Sequence, residues 1–147
     1  MSVSHILSLR IPDQRVERLD RFARRLGNGM TRTKAGVMLL EESLRETEIA
    51  GIEYRDSPIG RQPYVKGSGM AVWEVIMLAR RYDFDAERMT RHFPVPVESF
   101  KAAFTFYEAY SEEIDQAIED NDIGYENLKR LLPNIRLFEV ARSEQKP

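Results

Sequence analysis

The stretch Ile6-Leu7-Ser8-Leu9-Arg10-Ile11-Pro12 alternates apolar and polar character with a period of two. That period predicts a strand with Leu7, Leu9 and Ile11 on one side and Ile6, Ser8 and Arg10 on the other. Pro12 and Asp13 close it, and Asp13 is suited to cap the helix that follows. There Val16, Leu19, Phe22, Ala23 and Leu26 recur at helical spacing, while Arg15, Arg18, Arg21, Arg24 and Arg25 take the remaining surface. Gly27, Asn28 and Gly29 stop this helix, and a second opens at Thr31 or Thr33 and runs to about Glu46. Its apolar residues Ala35, Val37, Met38, Leu39, Leu40 and Leu44 cover a face wider than a one-sided amphipathic helix needs. One strand and two short helices cannot close a core alone, because a single strand has no pairing partner. With no cysteine and no metal cluster to staple the segment, dimerisation is the remaining solution.

The whole chain has 147 residues, 42% of them apolar, with 24 acidic and 22 basic side chains. That length suits one ordinary domain or two small ones, and the composition is that of a folded, soluble protein. No apolar run approaches a membrane span, and Met1 to Arg10 has no basic segment leading into a long apolar one, so a cytoplasmic location and no membrane partner are expected. The lack of cysteine excludes disulfides, thiolate zinc sites and cysteine nucleophiles. Charge is unevenly spread: Met1 to Gly36 carries +5, whereas Gly51 to the end carries −4. A basic head on an acidic body points to an anionic partner for the head alone.

The order strand, helix, glycine turn, helix, with Leu7-Ser8-Leu9-Arg10-Ile11-Pro12 followed by Gly29-Met30-Thr31-Arg32-Thr33-Lys34-Ala35, resembles the ribbon-helix-helix repressors of the Arc, MetJ and CopG type. The resemblance covers about the first third of the chain. It implies an intertwined homodimer, or a higher homo-oligomer, whose paired strands enter the major groove of double-stranded operator DNA. Ile6, Ser8 and Arg10 of each subunit would face base edges there, Ser8 and Arg10 as the outward polar side chains a ribbon reader needs, and Ile6 either against a thymine methyl or simply covering the ribbon's edge. Thr31, Arg32, Thr33 and Lys34 stand at a helix start whose free amides and positive dipole end suit a phosphate, a role compatible with ordinary capping. The five arginines of the first helix read as a solvated face adding sequence-independent attraction.

Beyond a linker at Ile49 to Glu53 the composition changes. Asp56 to Gly69 is rich in Pro, Gly and Ser, with strand-like pieces at Ile52 to Arg55 and Tyr64 to Val65. Helices are expected over Ala71 to Tyr82, about Ala86 to His92, Val97 to about Asp120, and Tyr125 to Leu132. Gly60-Arg61-Gln62-Pro63-Tyr64-Val65-Lys66-Gly67, then Val72-Trp73-Glu74-Val75 and Ala102-Ala103-Phe104, resemble a small winged-helix domain of unknown function (DUF four-three-three) grouped with VapB-type antitoxins. The resemblance covers about Ile52 to Tyr110 and departs from the family at Ser68, Gly69 and Met70, where threonine and arginine are commoner. It implies a PIN-like nuclease toxin as partner. Antitoxins of this sort cover the toxin's acidic metal site with a C-terminal segment, a role that falls here to Arg136, Phe138 and Arg142 in the alternating tail after Pro133.

Other chemistries find little support. The long helix carries Glu98, Glu108, Glu112, Glu113, Asp115, Glu119 and Asp120 against Lys101 alone, a surface that repels phosphate. Lys66 precedes Gly67, so the Gly60 to Gly69 loop lacks the Gly-Lys-Ser/Thr triplet of a phosphate loop. His5 and His92 are single, leaving no metal pair or catalytic dyad in the sequence. No catalytic residue, no metal site and no cofactor is assigned. The expectation is a mainly α protein, not an enzyme. It has a ribbon-helix-helix DNA-binding and dimerisation domain over 1–50, a small helical winged-helix-like domain over 51–122, and a partner-binding helix and tail over 123–147. The function expected is that of a type II antitoxin that also represses its own operon. The competing expectation is a free-standing regulator whose second domain senses a ligand or reinforces the dimer.

Overall fold

The computed structural model describes residues 3–131, with side chains over residues 3–122. It is mainly helical, with six α-helices and one two-stranded antiparallel sheet among the described residues. The chain divides into two units, residues 1–44 and 45–147.

In the first unit, α1 (Asp13–Leu26) begins where Pro12 fixes the backbone. The Pro12 carbonyl accepts hydrogen bonds from the amides of Arg15 and Val16, at 2.9 and 3.2 Å. Asp13 is thus the first helical residue and not the cap, and its carboxylate instead complements the dipole of the first turn. Three successive residues, Gly27, Asn28 and Gly29, have positive φ and turn the chain sharply into α2 (Arg32–Glu48). A side chain at Gly27 or Gly29 would meet open space, so glycine is there for the left-handed backbone and not for room. The helices approach where Leu19 lies 3.7 Å from the position a β-carbon would take at Gly36. The expected strand Leu7–Ile11 is not a strand in the single chain: residues 3–12 have no regular secondary structure. A ladder needs a second strand, and the only two strands among the described residues, both in the second unit, pair with each other.

The second unit opens with a hairpin of β1 (Ile52–Ser57) and β2 (Gly60–Val65), in register from Ile52 opposite Val65 to Ser57 opposite Gly60. It is longer than the two expected pieces. Pro63 is tolerated within β2 because a two-stranded sheet has only edges. Gly51, at φ +90°, precedes the hairpin, so the left-handed backbone favours glycine, and a β-carbon there would crowd the Ala102 methyl at 3.1 Å. Four helices follow: α3 (Val72–Ala79), continued by a 3-10 turn over Arg80–Tyr82, then α4 (Ala86–His92), α5 (Val97–Ala109) and α6 (Ser111–Leu131). Asp85 caps α4 by accepting from the Arg88 amide at 3.0 Å. The core between the hairpin and these helices holds Phe100, Phe106, Ile52, Ile76 and Met89 fully buried.

Two helix expectations are corrected here. The long helix over Val97 to Asp120 is broken at Tyr110, whose backbone (φ −133°, ψ 42°) leaves the helical region. The separate helix from Tyr125 is instead the continuation of α6. Ser111 followed by Glu112 and Glu113 places acids in a first turn, a start signal hidden by the apolar periodicity running through it. The break lets Ile114 and Ile118 bury in the same core as Phe106.

Candidate nucleic-acid interface

Ile6, Ser8 and Arg10 lie on the unpaired amino-terminal segment, in which every residue from 3 to 12 is exposed. Exposure reaches 98% at Ile6, against 70% at Leu7, 68% at Leu9 and 41% at Ile11. Val37, Leu40 and Leu44 of α2 are also open to solvent. Only Ala23, Ala35 and Glu42 are buried among the described residues of the first unit. The arginines of α1 are exposed as expected, and Arg25 lies over the Phe22 ring at 5.2 Å.

At the start of α2 the four expected residues divide into different roles. Thr31 caps the helix: its hydroxyl accepts from the Lys34 amide at 3.2 Å, and its carbonyl accepts from Ala35 at 2.9 Å. Thr33 and Lys34 are exposed. Arg32 is engaged elsewhere, since its Nε and Nη2 donate to the two carboxylate oxygens of Asp20, at 2.8 and 2.9 Å. This forked bond holds the Asp20 carboxyl below its ordinary range and raises the Arg32 guanidinium above its own. Arg32 therefore joins α2 to α1, and its charge is already met by a carboxylate. Sequence reading passed over Asp20, although its rarity was a signal: it is one of three acids among the first 36 residues.

The second unit has an arginine cluster of a different kind. Arg45, only 12% exposed in its side chain, donates to both carboxylate oxygens of Glu113 at 2.7 and 2.8 Å. It also donates to the Tyr54 hydroxyl at 3.1 Å and stacks over the Tyr110 ring at 3.8 Å. The hydrogen bonds to Arg45 push the Glu113 carboxyl below its usual value. Arg80 likewise bridges the Tyr107 hydroxyl and Asp115, which raises its own pKa. Arg55 pairs with Glu53, and Arg61 with Asp56. These cations are committed within the unit, beside helices rich in carboxylates. Trp73 donates to Gln62, which bonds Ser57, so the base of α3 is fixed to the hairpin.

Among the described residues no group of three or more histidines or carboxylates is placed to hold a metal, and no helix is long and apolar enough to cross a membrane. Arg136, Phe138 and Arg142 lie outside the described residues. Comparison with family models, with curated proteins and with solved structures finds no match to this chain.

Proposed function

We propose that this protein is a dimeric, sequence-specific DNA-binding antitoxin. Two amino-terminal segments pair as an antiparallel ribbon in the major groove, and the winged-helix-like second domain with its tail holds a PIN-like nuclease toxin. In this reading Arg10 and Ser8 contact base edges, while Thr33, Lys34 and the free amides of α2 contact phosphate. Arg32 acts through Asp20 as the strut between the two helices.

One observation carries the proposal. The first unit leaves Leu7, Leu9 and Ile11 exposed on an unpaired segment of alternating character, together with Val37, Leu40 and Leu44 on α2. A monomeric domain has no use for so much open apolar side chain, and a segment with free backbone groups is an open invitation to strand pairing. The partner best suited to cover it is a second copy, which offers the same strand and the same helix face in an isologous arrangement. The charge of +5 over Met1 to Gly36 then stands on both halves of the dimer and supplies attraction to phosphate.

The test is a titration of the full chain against duplexes selected by it from a random pool, at several salt concentrations. Binding should weaken linearly in log affinity with log salt. Arg10→Ala should cost about 1–3 kcal/mol and relax preference at one position of each half-site, whereas Lys34→Ala should weaken all sequences alike. Unchanged affinity and preference in Arg10→Ala would refute its role as reader. Purification of the native complex tests the antitoxin half: a nuclease should accompany the protein, and a lone homodimer would overturn that part.

A further inference from the structure

We infer that Ile6 reads the 5-methyl group of a pyrimidine in the major groove, so that each half-site contains a thymine at a fixed position beside the base pairs met by Ser8 and Arg10. This inference rests on the ribbon reading above and adds to it the chemistry of one recognised group.

The amino-terminal segment holds four large apolar residues between positions 6 and 11, and period two assigns only three of them, Leu7, Leu9 and Ile11, to the inward face. Ile6 is the surplus one, on the same side as Ser8 and Arg10. It is also the most exposed, at 98%, so the single chain uses it for no packing. Among the groups that base pairs present in the major groove, nearly all are hydrogen-bond donors or acceptors, which an isoleucine cannot satisfy. The apolar one is the methyl on C5 of thymine. Placing Ile6 over a donor or acceptor desolvates a polar group without replacing its bond, whereas placing it over the methyl buries two apolar surfaces. The side chain is suited to the task because branching at its β-carbon restricts χ1, so little rotamer freedom is lost on contact. The spacing is compatible as well. Strand rise puts residues two apart at about 6.7 Å, close to two base-pair rises of roughly 3.4 Å, so Ile6 and Ser8 reach neighbouring parts of one half-site.

The experiment replaces thymine by deoxyuridine, one position at a time, in a duplex selected by the wild-type chain from a random pool. This removes the methyl and leaves every hydrogen-bonding group in place, and it needs no variant that might fail to fold. One thymine in each half-site should lose about fourfold in affinity on losing its methyl, the effect of one buried methyl-sized group. Ile6→Ala should bind the thymine and deoxyuridine duplexes equally at that position, and Ile6→Val should keep the preference. Equal binding of thymine and deoxyuridine at every position by the wild type overturns the inference, as does a full thymine preference retained by Ile6→Ala. Either result leaves the DNA-binding reading standing. A wild-type chain that selects no sequence at all overturns both.

Discussion

The two units solve the problem of a core in opposite ways. Residues 45–122 bury whole aromatic and branched side chains, with Phe100, Phe106, Ile52 and Ile76 inaccessible to solvent. Among its described residues the first unit buries only two alanines and Glu42; Ile6, Leu7, Leu9, Ile11, Leu40 and Leu44 stay open, and Leu19, Leu26 and Leu39 are half-buried. The difference is not one of composition, since both stretches are rich in apolar residues. It lies in whether the unit itself supplies a covering surface. In the second unit each apolar face meets another element of the same chain, whereas in the first the strand-like segment and α2 present faces for which that unit offers no cover.

The sharpest way to break this contrast is a charge on the inward side of the proposed ribbon. Leu9→Glu should leave the second unit intact but convert the protein to a monomer by sedimentation and abolish selective DNA binding. An unpaired buried carboxylate costs several kcal/mol. If Leu9→Glu sediments as the wild type does, the open apolar face is not a dimer surface. The complementary substitution, Phe100→Ala, removes a fully buried ring from the second unit and should lower its stability by about 3–5 kcal/mol in thermal or denaturant unfolding. Sedimentation and DNA affinity should change little. Concentration gives a third handle: the melting of the first unit should rise with protein concentration, as for any fold completed by association, and that of the second should not.

A smaller effect is expected at Arg45. Its guanidinium is bonded to Glu113 and Tyr54 and stacked on Tyr110, so Arg45→Ala removes a forked ion pair and a cation–π contact together. With Glu113 largely exposed, the loss should be about 1–2 kcal/mol, read as destabilisation of the second unit alone. Arg45→Lys should recover only part of it, because an ammonium cannot make the forked bond.

What could be read in advance follows the same division. Apolar periodicity found α1 and α2, the helix at Ala86–His92, and the buried positions Ile114 and Ile118, because local pattern and tertiary burial agree there. It missed the break at Tyr110, where the apolar spacing of α5 runs on into α6 and only Ser111 and its following glutamates mark a new start. It placed a strand at Leu7–Ile11 that a single chain cannot form, since pairing is not a local property. Of the proposed interface, alternation assigns Ile6, Ser8 and Arg10 to one side, an assignment that only a paired strand would express. The engagement of Arg32 by Asp20 was not legible, because the two residues are twelve apart and meet only through the glycine turn between their helices.

That pair offers the finest test of the contrast, because a forked arginine–carboxylate bond is found in each unit, Arg32 with Asp20 and Arg45 with Glu113, in different settings. Both carboxyls, Asp20 and Glu113, lie below their ordinary values on account of the arginine bonded to them. A carboxyl depressed in the folded state contributes stability that is complete above its unfolded pKa and lost as pH falls through the folded one. Acidification below the ordinary carboxylate range should therefore release both arginines. In the second unit the result is lost stability, and Glu113→Gln should flatten that acid dependence. In the first unit Arg32 is exposed and Asp20 half-buried, so the release should show chiefly in DNA binding and only slightly in melting. Asp20→Asn frees Arg32 beside Thr33 and Lys34 at the start of α2, where it can reach phosphate. Each protomer then gains one cation, and the slope of log affinity against log salt should steepen by about 0.9 per phosphate newly contacted. A slope unchanged in Asp20→Asn would show that Arg32 stays on the protein even without its carboxylate, and that the strut is held by the helices themselves.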